Sequence, residues 1–144
     1  MIKFTILGNP IAQKRHRSVR RGNFIGQYDP SLQNKEDFRA TIQQYAPKEL
    51  LTGPLRIDIA WFFARPKSHF GTGKNAGKLK ASAHEYWHTK KPDRDNLDKF
   101  ILDSLTGVFF KDDSIVCAGE LGKFWDDFNK PRVEVSVFEL DSDE

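Results

Sequence analysis

Residues 54–65 read PLRIDIAWFFAR, and Leu55, Ile57, Ile59, Trp61 and Phe63 fall at every second position. Side chains of an extended chain alternate between faces, so this spacing predicts a β-strand with one continuous apolar face. That face has to be covered by a second layer, which limits the chain to a layered architecture around one core.

The remaining patterns say what the layers are. IKFTIL (2–7) alternates as a first strand, and RVEVSVFEL (132–140) as a last one with Val133, Val135 and Val137 inward. YDPSLQNKEDFRATIQQYAP (28–47) offers Asp29 as a cap, Pro30 in the first turn, and Phe38, Ile42 and Tyr45 at helical spacing, so a helix ends before Pro47. Leu97, Phe100, Ile101, Leu105 and Val108 predict a second helix from Asp95 to Gly107. VFFKDDSIV (108–116) predicts two short β pieces around the turn Lys111–Ser114. The order β-α-β-α-β-β is that of an α/β (α+β) fold: a mixed sheet, helices packed on one side, and acids gathered at one sheet edge where the second main helix starts. At 144 residues a single domain over 1–144 is expected, burying about two thirds of its unfolded-chain surface.

No apolar run approaches the roughly twenty residues of a membrane span. MIKFTILGNP reads as a strand running into a turn rather than a signal peptide, so a cytoplasmic, unsecreted protein is expected. Cys117 is the single cysteine, which excludes an intrachain disulfide and a thiolate metal cluster; without a base partner it is expected to be buried filler.

Charge is unevenly distributed. The 23 basic and 20 acidic residues nearly balance, yet KRHRSVRR carries Lys14, Arg15, Arg17, Arg20 and Arg21 with no acid. From Lys67 to Lys91 six lysines accompany the single acid Glu85. These segments predict two basic loops, about 8–27 (a mobile loop or a bent hairpin) and about 65–91, and acids collect in 93–127 and in a tail at about 139–144. Positive arms around a negative centre suit a polyanion gripped through counterion release and held beside bound cations. A solvated surface is the plainer reading of both loops. Phe70, Tyr86 and Trp87 in the second loop have the chemistry to stack on bases, although such aromatics more commonly cover a core edge, and Trp87 is expected there.

KPDRDNLDKFILDSL (91–105) places Asp95, Lys99 and Asp103 on one helix face, opposite Leu97, Ile101 and Leu105, with Asp93 extended toward Asp95. Like charges so close repel unless a cation lies between them. A D-x-D at a loop-to-helix junction can hold Mg²⁺, which takes oxygen ligands and is commonly bound by one or two carboxylates plus substrate phosphate. The same residues also fit plainer roles: Asp95 as N-cap, Asp98 as capping-box acid, Asp103 and Lys99 as a solvated pair, and Asp112–Asp113 as turn residues. HEYWH formally matches H-E-x-x-H through His84, Glu85 and His88, but Pro92 and the lysines leave no apolar-periodic helix around it, which argues against zinc.

KPDRDNLDKFILDSLTGVFFKDDSIV resembles the RusA family of Holliday junction resolvases, with Asp93, Asp95, Asn96, Lys99, Asp103, Asp112 and Asp113 at the positions of that pattern; GNPIAQKRHR and YDP extend the resemblance upstream. The resemblance implies a Mg²⁺ (or Mn²⁺) site of Asp93, Asp95 and Asp113, with Lys99 as catalytic lysine and Asn96, Asp103 and Asp112 in support. It further implies a homodimer that resolves four-way DNA junctions by paired symmetric nicks in recombination and repair. Lys14, Arg15, Arg17, Arg20 and Arg21 would hold the DNA, with Lys74, Lys78, Lys80, Lys90 and Lys91 as a second surface. A nuclease for forks or flaps and a non-catalytic DNA-binding module are the alternatives.

Overall fold

The computed structural model describes residues 1–15, 17–22, 24–83, 86–128 and 130–140. Strands β1 (Ile2–Leu7), β4 (Leu55–Ala64), β5 (Val116–Ala118), β6 (Leu121–Asp126) and β7 (Arg132–Glu139) form one sheet, while β2 (Arg17–Arg21) and β3 (Phe24–Tyr28) form a separate hairpin. The helices are α1 (Leu32–Ile42) and α2 (Arg94–Leu105). The mixed α+β architecture expected from the pattern of elements is the one observed.

The order across the sheet is β1, β7, β4 and then an edge shared by β5 and β6. The last strand in sequence therefore lies at the centre, antiparallel to both neighbours, with Val135 opposite Phe4 on one side and Ile59 on the other. The alternation that predicted these strands is realised in one core: Phe4, Leu55, Ile57, Ile59, Trp61, Val133, Val135 and Val137 face Phe38 and Ile42 of α1 and Leu97, Phe100, Ile101 and Leu105 of α2. Phe109 and Phe110, just past α2, are fully buried. No helix among the described residues is long and apolar enough to cross a membrane.

Several local expectations are corrected. Of the two readings of segment 8–27, the hairpin is the one observed, over 17–28, with Gly22 at φ +61° in the turn between β2 and β3. Residues 108–110 form no strand; they follow the αL residue Gly107 into the core, and only β5 is extended. β6 had no alternating signature in LGKFWD, yet it pairs in parallel with β4 from Ile59↔Leu121 to Ala64↔Asp126. β5 and β6 are two pieces of one edge, interrupted where Gly119 passes so close to β4 that a Cβ there would collide with the Ile57 carbonyl oxygen. Cys117 is exposed rather than buried, since β5 is a short edge strand whose inward residue is Val116. Asp29 does not cap α1. Ser31 holds that position, and the Asp29 carboxylate accepts from the Ser31 backbone N–H at 2.8 Å, closing a turn before the helix. The tail beyond Leu140, His16, and the His84–Glu85 part of HEYWH lie outside the described residues.

Lys35, one turn before Phe38 on the buried face of α1, is the polar centre of this packing. Its ammonium lies 2.7 Å from Asp29 Oδ2 and 3.1 Å from Asp103 Oδ2, with its side chain 7% exposed. Gln13 Nε2 donates to Asp29 Oδ1 at 2.8 Å, and the Gln13 backbone N–H donates to the Asn96 carbonyl at 2.9 Å. One lysine thus ties together the chain before α1, α1 itself and α2. Burial tends to raise the Asp29 pKa, but the Lys35 ammonium and the Ser31 and Gln13 donors outweigh it and hold the carboxyl at about 2.

Removing one member of a buried ion cluster leaves its partners uncompensated. Lys35→Ala is expected to lose about 3 kcal/mol of stability in urea unfolding. Because the folded pKa of Asp29 is depressed from 3.8 to about 2, its contribution is present above 3.8 and lost as the pH falls toward 2. Wild-type unfolding free energy should decline through that window, and Lys35→Ala should show a shallower decline.

Candidate active site

The approach to α2 is fixed from the sheet edge. Trp87 pairs antiparallel with Phe124 of β6, the Trp125 N–H donates to the Tyr86 carbonyl at 2.9 Å, and the His88 N–H donates to the Lys123 carbonyl at 3.0 Å. Lys123 Nζ then donates to the Lys90 carbonyl at 2.6 Å. Residues 86–90 are thereby attached along β6, and α2 begins a few residues later. His88 is buried, stacked on Phe63 at 3.9 Å between ring centroids and beside Trp125 at 4.4 Å. Burial, with smaller repulsion from Lys123, lowers its pKa to about 4, so the ring is neutral at physiological pH.

Asp93, not Asp95, holds the N-cap position of α2. Its carbonyl accepts from the Leu97 N–H at 3.2 Å, but its carboxylate makes no capping hydrogen bond. Asp95 lies in the first turn and Asp98 in the second, so the capping-box reading of the pair fails: the helix starts two residues too early for it. Asp93 and Asp95 are exposed at a helix N-terminus, where backbone N–H groups and the helix dipole favour negative charge. Burial lowers the Lys123 pKa, opposed by the attraction of Asp93, which places this carboxylate in the lysine's field.

Asp98 is the acid that sequence reasoning undervalued. Half-buried on α2, it has a raised pKa: desolvation is the main cause, Arg94 opposes it, and repulsion from Asp113 adds to it. Asp113, in the turn after α2, is therefore within electrostatic reach of Asp98 on the helix. Of the two acids in that turn, Asp112 precedes the short 3₁₀ segment Asp113–Ile115 and accepts from the Ser114 backbone N–H at 2.9 Å, which holds its pKa below the ordinary value. Asp112 is thus engaged in shaping the turn, and Asp113 is exposed beside it. The signal for Asp98 was its helical register three residues after Asp95; what the sequence lacked was its burial.

Asp103 is held by Lys35 at 3.1 Å and lies 3.8 Å from Lys99, whose side chain remains largely exposed. Asn96 presents its carbonyl to Gln13 and does not cap the helix. Among the described residues, no group of three or more His, Cys, Asp or Glu side chains is close enough to hold a metal ion. Asp93, Asp95 and Asp113 bring the oxygen donors that suit a hard divalent cation, and the Asp98–Asp113 repulsion is of the kind such a cation relieves, but these acids are not drawn into a closed ligand shell.

Residues 8–138 match the family described as Endodeoxyribonuclease RusA. The chain belongs to this family. An uncharacterized protein, YqaN, of Bacillus subtilis (strain 168) is 35% identical over 141 residues, covering 96% of each chain. The RusA match embraces the whole of the acidic helix, the turn after it and the N-terminal basic segment, so the resemblance noted in the motif extends through nearly the entire fold.

Two of the basic segments adjoin the start of α2 in the chain's packing: residues 14–15, next to Gln13, and residues 90–91, just before Asp93. Lys14 and Arg15 are exposed just after Gln13, which is bonded to Asn96, and the Lys14 N–H donates to Ser31 Oγ at 3.0 Å. Arg17, Arg20 and Arg21 follow on β2; Arg20 is exposed, with Nε 3.3 Å from the Gly22 carbonyl. Lys74, Lys78 and Lys80 are exposed on the turns of the long loop, and Lys90 and Lys91 are exposed on the approach to Asp93. Trp87, expected at a core edge, is instead 51% exposed, because its pairing with the outermost strand leaves its ring on the rim.

The raised pKa of Asp98 means that its charged form is penalised in the folded chain at neutral pH. Asp98→Asn is expected to raise the melting temperature by a few degrees at pH 7 without divalent ions, with the gain shrinking at acidic pH where the wild-type carboxyl is protonated. Scanning calorimetry at the two pH values checks it.

Proposed function

We propose that this RusA-family chain is a divalent-metal-dependent endodeoxyribonuclease that resolves four-way DNA junctions, acting as a homodimer of a single nuclease domain. The observation that carries this reading is the set of exposed, uncapped acids at the start of α2, within a family of endodeoxyribonucleases. Two strands of opposite polarity call for two sites related by a two-fold axis, which supports the dimer.

In this proposal Asp93, Asp95 and Asp113 hold Mg²⁺, or Mn²⁺ in its place, when the scissile phosphate arrives. The bound ion supplies charge neutralisation of the phosphodiester and acidification of water. The chain's own residues contribute the rest. The N–H groups at the start of α2 favour an anionic phosphate oxygen. Lys99, one turn along the helix from Asp95, offers a point charge to a phosphoryl oxygen or the attacking water, and Asp103 orients it, being itself fixed by Lys35. Asp112 keeps the turn that carries Asp113, and Asn96 keeps the basic arm against the helix. Lys14, Arg15, Arg17, Arg20, Arg21, Lys74, Lys78, Lys80, Lys90 and Lys91 hold backbone phosphates, which gives affinity and orientation without sequence readout.

Asp93→Asn and Asp95→Asn should reduce Mg²⁺-dependent cleavage of a synthetic four-way junction by about 100-fold or more, because each removes a charged metal ligand with little change in shape. Junction binding without divalent ions should survive or tighten, since a carboxylate near a phosphate repels it. Folded variants that cut at the wild-type rate would overturn the reading, and wild-type cleavage of forks in preference to junctions would redirect it to other branched DNA. Replacing Lys14, Arg15 and Arg20 by Ala should flatten the salt dependence of DNA binding by about one unit of slope per lost phosphate contact, measured by titration across salt concentrations.

A further inference from the structure

The sheet face turned away from both helices carries a column of stacked side chains. The Arg132 guanidinium lies 3.9 Å from the Phe62 ring centroid, and Phe62 stacks on Phe124 at 5.3 Å with 29° between planes. Phe124 in turn meets Trp87 at 5.1 Å and Tyr86 at 4.9 Å, and Tyr86 meets Trp87 edge-on at 4.9 Å. The inner members are partly buried, while Trp87 and Tyr86 at the outer end are 51% and 54% exposed. Exposed rings usually move; these are carried by backbone bonded to β6, so the platform is rigid relative to the sheet.

What surrounds the platform identifies its occupant. Trp87 and Phe124 line a groove of about 620 Å³ that also contains Lys3, Arg94, the first residue of α2, and the acids Asp58, Glu120 and Glu134, of which Asp58 is paired with Arg56 and Glu134 with Arg132. Lys123 adjoins Phe124 and feels the charge of Asp93, and Lys90 and Lys91 are exposed on the same approach. On the side toward the start of α2, where Arg94, Lys90 and Lys91 lie, the flat π surface adjoins cations, the chemistry that binds unstacked nucleobases: the ring takes the base face and the cations take the adjoining phosphates. A protein partner with an apolar knob would gain little from that basic border, whereas a paired duplex has no free base face to offer.

We infer that Trp87, supported by Tyr86 and Phe124, is a stacking platform for an unpaired DNA base at a strand exchange point or branch, holding the adjoining phosphate beside the acids of α2. This inference deepens the proposed nuclease reading and rests on it for the choice of DNA. The platform would select branched over linear substrate, because base stacking is indifferent to sequence but requires an unpaired base.

The test measures binding of the full chain, without divalent ions, to a four-way junction, an oligothymidylate and a linear duplex. Trp87→Ala is expected to weaken junction and oligothymidylate binding about tenfold or more and to leave duplex binding within about twofold, with Trp87→Phe retaining most of the affinity. Wild-type tryptophan fluorescence should be quenched by oligothymidylate, with most of the quenching lost in Trp87→Phe. Unchanged junction and oligothymidylate affinity in a folded Trp87→Ala, an equal loss on duplex, or a wild type that binds no unpaired strand would each overturn the platform. Cleavage of junctions by the wild type alongside any of those results would leave the nuclease reading standing. Trp87-dependent binding without junction cleavage in Mg²⁺ would instead support the platform and remove the resolvase assignment.

Discussion

The Lys35 ammonium, buried between Asp29 and Asp103, is the interaction on which the arrangement of the helical layer depends. A charge with so little access to water persists only where its partners are close and well hydrogen-bonded. Here the two partners come from separate stretches of chain, so satisfying one lysine fixes the turn before α1 and the spacing of α1 from α2. Arg39 strengthens the same junction by donating to the carbonyls of Asp103 and Ser104 at 2.6 and 3.2 Å. Gln13 extends it to the start of the N-terminal basic segment, which it ties to Asn96 in the first turn of α2.

The sheet performs a complementary task at the other end of α2. β6 offers its outer edge to residues 86–88, and this pairing carries the chain up to Asp93. The like-charged acids are therefore not distributed by their own preferences. Asp98 is held half-buried within the field of Asp113 because α2 is anchored by Leu97, Phe100, Ile101 and Leu105 in the core and the turn after it by Phe109 and Phe110. Hydrophobic packing over the length of the helix opposes a repulsion confined to one end. That balance explains how a stable fold can keep Asp98 and Asp113 within one another's field.

The errors of sequence reading have two causes. α2 was recognisable from its apolar spacing, but its start was displaced from Asp95 to Arg94 because any of several aspartates had the chemistry to cap it. β6 was invisible because LGKFWD is an edge strand whose pairing with β4, rather than its own alternation, makes it extended. Trp87 was placed at the core edge on the general burial of tryptophan, whereas its neighbour in the sheet is the outermost strand. Asp98 was assigned to a cap that is not there. The α2 start turned on a choice among neighbouring aspartates, whereas β6 and Trp87 turned on which long-range partner a residue meets, a point on which local periodicity carries no information.

The sequence by itself determined the periodic elements and their apolar faces, the mixed α+β class, the basic flanks and the acidic motif that aligns the chain with its family. These follow from bond geometry and residue chemistry over a few positions. Only the tertiary structure decided that β7 completes the sheet from its centre, that Lys35 joins two aspartates 74 positions apart (Asp29 and Asp103), and that Asp98 is half-buried within the field of Asp113. Those outcomes depend on burial and on contacts between distant segments, and both exist only once the whole chain has packed.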